Sequence, residues 1–238
     1  MHLDRLSTLF QHAEFNVISS TATELAPALD IREIDADSIK VTYLRHTQSQ
    51  ALSPAAVKLD FGGPQSALYQ AIPETLTMTL THNSSAWAMA HTVLLETNAP
   101  RCGSPVMLNR LIEVLLIYLL RDAIEHGTQM PGMLLGLADD HLKFALVAVH
   151  DSPGHPWTVD ELARISGVSR TLFYKRFNEL VGCSPLHYLR QWRMTLARGY
   201  LIKGKRITSV ARDMGYRSNE GFSRAFHQHF GVWPSECR

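Results

Sequence analysis

The sequence has few cysteines, no long apolar run and, in its first 150 residues, no close-spaced metal-ligand motif, and each shortage removes a class of protein. Its three cysteines, Cys102, Cys183 and Cys237, are widely spaced, odd in number and include no C-x-x-C pair. Such an arrangement offers neither a disulfide framework nor a thiolate zinc site, and it suits a reducing compartment. The most apolar stretch, LIEVLLIYLL, contains Glu113 and is bounded by Arg110 and Arg121. It falls short of the roughly 18 uninterrupted apolar residues that a membrane span needs. The opening segment, MHLDRLSTLFQHAEF, has no basic stretch followed by an apolar one, so no export signal is read and a bacterial-type cytoplasm is the expected location.

What is present is a chain of 238 residues, 45% hydrophobic and 19% charged, which is enough apolar material for one or two cores. The net charge of +1 conceals two unlike halves. Residues 1–150 carry nine Lys and Arg against fifteen Asp and Glu, and residues 151–238 carry fourteen against seven. A basic module is therefore attached to an acidic one, and its field favours a polyanionic partner, of which nucleic acid is the commonest. The segment DSPGHPW, residues 151–157, holds two prolines and a glycine and marks the expected boundary, giving domains 1–150 and 151–238.

The basic half contains an internal repeat. FYKRFNELVGCSP, from Phe173 to Pro185, and FSRAFHQHFGVWP, from Phe222 to Pro234, share the skeleton F-x-x-x-F-x-x-x-x-G-x-x-P at a constant offset of 49. Thr158-Val159-Asp160-Glu161 reads as a capping box that opens a helix near Val159, with Leu162, Ala163 and Ile165 inward and Gly167 at its end. Ser169 caps a second helix carrying Leu172, Phe173, Phe177, Leu180 and Val181, which Gly182 ends. Pro185 opens a long helix through Ile202, with Leu186, Leu189, Trp192, Leu196, Tyr200 and Leu201 inward. Ile207, Val210 and Ala211 then repeat the first helix, and Ser218 caps the helix of Phe222, Phe226 and Phe230 before Gly231. Ala163 to Ala211 and Gly167 to Gly215 are 48 apart, so the second turn is one residue longer. The pattern predicts two helix-turn-helix units joined by one helix.

Phenylalanines four residues apart face inward and leave the residues between them facing out. The outward sets are Ser169, Arg170, Thr171, Tyr174 and Lys175 in the first copy, and Ser218, Asn219, Glu220, Ser223 and Arg224 in the second. Polar residues near the start of an exposed helix are what readout in the major groove requires. On these residues, and on the G-Y-x-S of the second copy, the segment 157–236 resembles the DNA-binding domain of the AraC/XylS family of bacterial transcription regulators. The resemblance implies two recognition helices in successive major-groove segments, base-reading roles for Thr171, Tyr174, Lys175, Asn219, Glu220, Ser223 and Arg224, and double-stranded DNA and RNA polymerase as partners. Arg224 suits guanine, whose O6 and N7 match its fork; contact with phosphate alone, or a pair with Glu220, stays open. The chain departs from the family at LIKGKRITSV, where no Ser, Asp or Pro cap precedes the fifth helix.

The acidic half resembles a cupin-type sensor domain of the same family in KLDFGG, ALYQAIPETLTM and CGSPVMLNRLIEVLLIYLLRDAI. The fold class expected is α+β: a partial cupin-like β domain with helices, then an all-α double helix-turn-helix domain. After a first helix near Leu3 to Phe10, IREIDADSIKVTYLRHT is the one clear strand pattern before Gly62, too little for the roughly eight strands of a jelly roll. The helix from Ser104 to about His126 is apolar nearly all round over Leu111 to Leu120, which means burial within the domain or a homodimer seam. A helix over Asp140 to His150 follows. Cys102, beside Arg101, is a candidate redox thiol. His46, His82 and His91 stand alone, with no H-x-H in residues 1–150, so no metal, no cofactor and no catalytic residue is expected. The activity expected is that of a sequence-specific regulator, in the sense of an activator, responding to an unknown small molecule. A regulator whose shortened sensor binds no ligand is the first alternative, and a cupin-like metal enzyme with an appended domain is the disfavoured second.

Overall fold

A computed structural model of the chain describes residues 4, 6–11, 15–18, 26–47, 52–127 and 130–237. Leu3, named as the start of the first helix, lies outside them, and the described helix α1 is Ser7–Gln11. The chain divides into two compact units, one of Glu14–Pro64 with Ile72–Thr128, the other of Met1–Ala13, Gln65–Ala71 and Gln129–Arg238.

The first unit is an antiparallel sheet with two helices. Its strands β1 (Asn16–Ile18), β2 (Ala28–Asp35), β3 (Ser38–Leu44), β4 (Val57–Asp60) and β5 (Thr75–Thr81) lie in the order β1-β4-β2-β3-β5. Register sets the core. Tyr43 pairs Leu29 and Leu76, and Val41 pairs Ile31 and Met78, so buried residues of three strands form rows on one face. The described residues form one five-stranded antiparallel sheet, fewer strands than the roughly eight of a jelly roll. The strand β5, TLTMTLT, was not foreseen, although its strict alternation of buried Leu76, Met78 and Leu80 with exposed threonines is a plain strand signal. Helices α3 (Ser85–Asn98) and α4 (Ser104–His126) pack on the sheet and on each other. Their connection is held by Glu96, whose buried carboxylate accepts from the Arg101 guanidinium and from the Ser104 hydroxyl at the start of α4.

The burial of α4 is more one-sided than its composition suggests. Ile112, Leu115, Leu116, Leu119, Leu120, Ala123 and Ile124 are buried, whereas Met107, Leu111, Val114 and Tyr118 are only partly covered. Burial within the domain accounts for the first set, and the homodimer seam stays open for the second, none of which is fully exposed.

The second unit is helical: α1, α2 (Ala67–Ala71), α5 (Met133–Ala138), α6 (Leu142–Asp151), α7 (Val159–Ile165), α8 (Arg170–Val181), α9 (Pro185–Ile202), α10 (Ile207–Asp213) and α11 (Asn219–Phe230). Both predicted offsets recur in the element bounds, 48 from α7 to α10 and 49 from α8 to α11. Helix α5 was missed because six residues, MLLGLA, are too few to show a period. Helix α6 starts at Leu142 rather than Asp140, since the Asp139 carboxylate accepts from the amides of His141 at 3.0 Å and Leu142 at 2.9 Å. Two inward assignments are corrected: Leu172 and Leu186 are exposed, the first at 43% and the second at 44%.

The segment 152–157 reads as a linker by composition, yet it is fastened within this unit. Arg193 of α9 donates to the carbonyl oxygens of Pro153 at 2.6 Å and His155 at 2.8 Å. Gly154 lies backbone to backbone against the turn after α10, where a Cβ on Gly215 would stand 2.3 Å from the Gly154 oxygen. The expected boundary at 150/151 thus falls inside one compact unit, at the last turn of α6. Gly215, with φ of +75° and no room for a side chain, should lose more than about 1 kcal/mol of stability on replacement by alanine. Gly199→Ala, in the interior of α9 with open space at its Cβ, should gain about 0.5–1 kcal/mol. Urea midpoints of the two variants check both signs.

Candidate nucleic-acid interface

Each helix-turn-helix unit is built by the same local chemistry. In the first, the Thr158 hydroxyl accepts from the Glu161 amide at 3.2 Å and opens α7. The other half of the expected capping box is absent, because the Glu161 carboxylate faces His155 Nε2 at 3.1 Å. Gly167, at φ of +67°, makes the turn, and the Ser169 hydroxyl caps α8 by accepting from the Leu172 amide at 3.3 Å. In the second unit Gly215 makes the turn and the Ser218 hydroxyl accepts from the Gly221 amide at 3.0 Å. Helix α10 starts at Ile207 with Arg206 at its cap position and no side-chain cap, which is the family departure seen in the sequence.

The phenylalanine pairs are near copies. Phe173 and Phe177 have ring centroids 5.6 Å apart at 52°, and Phe222 and Phe226 are 5.7 Å apart at 51°. All four are buried. With that face fixed, the helical period turns Thr171 and Lys175 to the opposite side of α8, and Glu220 and Arg224 to the opposite side of α11. All four are exposed, as are Tyr174 and Asn219, while Ser223 is partly covered.

The expected outward residues divide by what else they do. Ser169 and Ser218 spend their hydroxyls on the caps. Arg170 pairs with Asp160 of α7 at 3.1 Å, and Lys175 lies 3.9 Å from Glu179. Arg224 has no ion-pair partner among the described residues, so the pair with Glu220 is not formed. Further cations near the two units carried no signal in the outward sets. Arg164 and Arg212 occupy matching places in the last turns of α7 and α10, an equivalence visible at the same offset of 48. Arg190, Arg193 and Arg217 line an open cleft with Trp157 and Tyr216 beside the turn that precedes α11.

The remaining candidates fare differently. Cys102 is exposed, but the neighbouring Arg101 guanidinium is engaged by Glu96 rather than directed to the thiol. His82 and His91 both lie on Trp87, with centroids 4.3 Å and 4.8 Å away. Among the described residues no group of three or more His, Cys, Asp or Glu is placed to hold a metal ion, and no helix is long and apolar enough to cross a membrane. His227 stacks on Trp233 and His229 meets the edge of Phe230, so the two rings part, as side chains two residues apart on a helix do.

Two capped helices of equal length, each after a short glycine turn and joined by α9, define a double helix-turn-helix protein. Residues 162–238 match the profile of a helix-turn-helix domain and residues 5–125 that of a cupin. A Streptomyces antibioticus protein named as an AraC-like transcription regulator is 32% identical over 201 residues, covering 83% of this chain and 61% of its own. The HTH-type transcriptional regulator AlkR of Acinetobacter baylyi is 35% identical over 147 residues, covering 61% of this chain and 48% of its own. A solved AraC-type regulator from Chromobacterium violaceum is 28% identical, with a TM-score of 0.38, and covers 40% of this chain and 87% of its own. The chain belongs to the AraC/XylS family of transcription regulators. It spans between about half and three fifths of the length of the curated relatives it matches.

Helix α8 is anchored by charge as well as by its phenylalanines. The Asp139 carboxylate, nearly buried after α5, pairs with Arg176 of α8. Burial opposes the charge of Asp139, but the amides of Leu142 and His141 together with Arg176 outweigh it and hold its pKa below the ordinary 3.8. A carboxyl with a depressed folded pKa contributes stability that is present above its unfolded pKa and lost as pH falls through the folded one. Asp139→Asn should therefore destabilise the protein at neutral pH by about 1–3 kcal/mol. The difference from wild type should shrink below about pH 4, as the wild-type carboxyl itself protonates. Denaturant titrations at pH 7 and pH 3 check the effect and its direction.

Proposed function

We propose that this chain is a sequence-specific DNA-binding transcription regulator, an activator, that reads two successive major-groove segments with α8 and α11. The observation that carries the reading is the combination of matched anchors and unmatched exposed residues. The two helices present the same buried phenylalanine pair and the same capped start, yet offer Thr171, Tyr174 and Lys175 in one copy and Asn219, Glu220, Ser223 and Arg224 in the other. Equal docking with different chemistry suits two different base sets. Ser169, Arg170 and Ser218 hold the helix starts in place and put amides toward phosphate, and Arg164, Arg212 and Arg217 add phosphate contacts. Residues 151–238 are the reading module and residues 1–150 the regulatory one, acting in the cytoplasm and with RNA polymerase as a partner.

The regulatory half serves as a dimer seam. Met107, Leu111, Val114 and Tyr118 stand four, three and four residues apart on the less covered face of α4, which is the spacing of a helix-to-helix seam. A second reading is favoured by the five-stranded sheet: a sensor with a partial barrel that holds no effector leaves DNA binding constitutive. Melting curves of the full chain with and without candidate effectors test this reading.

Selection from a random duplex library tests the main reading. Two short enriched blocks about one helical turn, roughly 10 base pairs, apart are expected, and salt-sensitive binding without an enriched block would overturn it. Arg224→Ala should cost about 1–3 kcal/mol on the selected site and relax preference at one base position. Lys175→Ala should weaken all sequences alike and lower the salt slope by about one. Titrations of both variants at two salt concentrations measure the effects.

A further inference from the structure

The helical unit has a half-open cavity of about 170 Å³ at the place where α2, the start of α5, the turn after α8 and the middle of α9 meet. An apolar cavity of about 150 Å³ is enough for one benzene ring. The wall is formed in part by the ring of Trp192, backed by His150 at a centroid distance of 4.3 Å. The indole N–H of Trp192 is buried and finds no acceptor among the described residues. The polar groups on the wall are neutral ones. Gln70 accepts a long hydrogen bond from Thr195 at 3.4 Å, and the Tyr188 hydroxyl is bonded to His150 Nε2 at 2.6 Å. Gln191 and Cys183 complete the polar set.

Among the described residues no Lys, Arg, Asp, Glu or His side chain lines this space. Burial, and then the proximity of Cys183, pushes the Tyr188 hydroxyl far above the usual phenol range, and burial raises the Cys183 thiol. Both groups stay uncharged near neutral pH. A charged occupant would give up its hydration and meet no counter-charge, a cost that neutral molecules avoid. The position matters as well as the chemistry. The Gly132 amide donates to the Leu180 carbonyl at 2.8 Å, so the cavity wall is tied directly to the end of the first recognition helix.

We infer that this cavity is a binding site for a small uncharged molecule about the size of a single aromatic ring, with one or two polar groups. Occupancy would brace the end of α8 against α9. The inference rests on the cavity and not on the proposed reading of DNA, and its test uses no DNA.

Cys183 on the wall and the exposed Cys102 elsewhere make an internal comparison. The full chain is labelled with N-ethylmaleimide, and each cysteine is followed by peptide mass spectrometry in the presence of phenol, benzyl alcohol or indole, with benzoate as the charged counterpart. At least one neutral compound should slow labelling of Cys183 about threefold when present at twice its Kd, with Cys102 unaffected and benzoate without effect. Ala71→Phe, which fills the cavity from α2, should slow labelling of Cys183 unaided and remove the effect of the compound. Should that variant not fold, the competition on the wild-type chain decides alone. Unchanged labelling of Cys183 with all three neutral compounds, equal protection by benzoate, or parallel protection of Cys102 would overturn the assignment.

Discussion

Four phenylalanines, two on each of two short helices, have to be kept from water, and the rest of the helical unit is arranged around that requirement. Burying a ring of this size contributes on the order of 1.5–3 kcal/mol, more than any single cap or surface ion pair in the same helices. Because the rings sit four residues apart, one face of each helix is committed to the interior along its length. The opposite face, with Thr171 and Lys175 or Glu220 and Arg224, is then set by helical pitch. Those side chains are free to differ between copies because they carry none of the packing.

The glycines follow from the same constraint. A helix held by its inner face has to be entered and left within one or two residues, and Gly167, Gly182, Gly215 and Gly231 supply the left-handed conformations that make this possible. At Gly215 the demand is stronger, since the backbone of Gly154 occupies the place of a side chain. This approach, with the two hydrogen bonds from Arg193, turns a proline-rich connection into part of the wall of the unit. Residues arriving from α6 are thereby held against the turn that positions α11. The end of α5 is thus joined to α8 through Asp139 and Arg176, and the end of α6 to the turn before α11 through the segment that follows.

The sheet-bearing unit is governed by register. With Tyr43 opposite Leu29 and Leu76, and Val41 opposite Ile31 and Met78, a slip of one residue would turn each row to the wrong face. The helices laid on this sheet complete its core, and the buried Glu96 joins them by satisfying Arg101 and Ser104. Having turned one apolar face to the sheet, α4 retains Met107, Leu111, Val114 and Tyr118 in partial contact with solvent, which is where the apolar character noted in its sequence ends up.

Much of this was legible in the chain of letters, and for a definite reason. The repeat of Phe173 and Phe177 at Phe222 and Phe226, the serine caps and the glycine stops are local signals, governed by hydrogen bonds within four residues and by a period of 3.6. They determined the helices of the basic half, the two offsets of 48 and 49, and the exposed sets between the anchors. Local signals are silent on what lies across space. Leu172 and Leu186 have the helical spacing of core residues but are exposed, because inward direction depends on which neighbours are present. DSPGHPW has the composition of a linker but is held by Arg193, which is 40 residues from Pro153. The pairing of Asp139 with Arg176, the cavity walled by residues from Gln70 to Thr195, and the single covered face of α4 were decided only by the tertiary structure. Each depends on groups far apart in the sequence, whose distances no periodicity records.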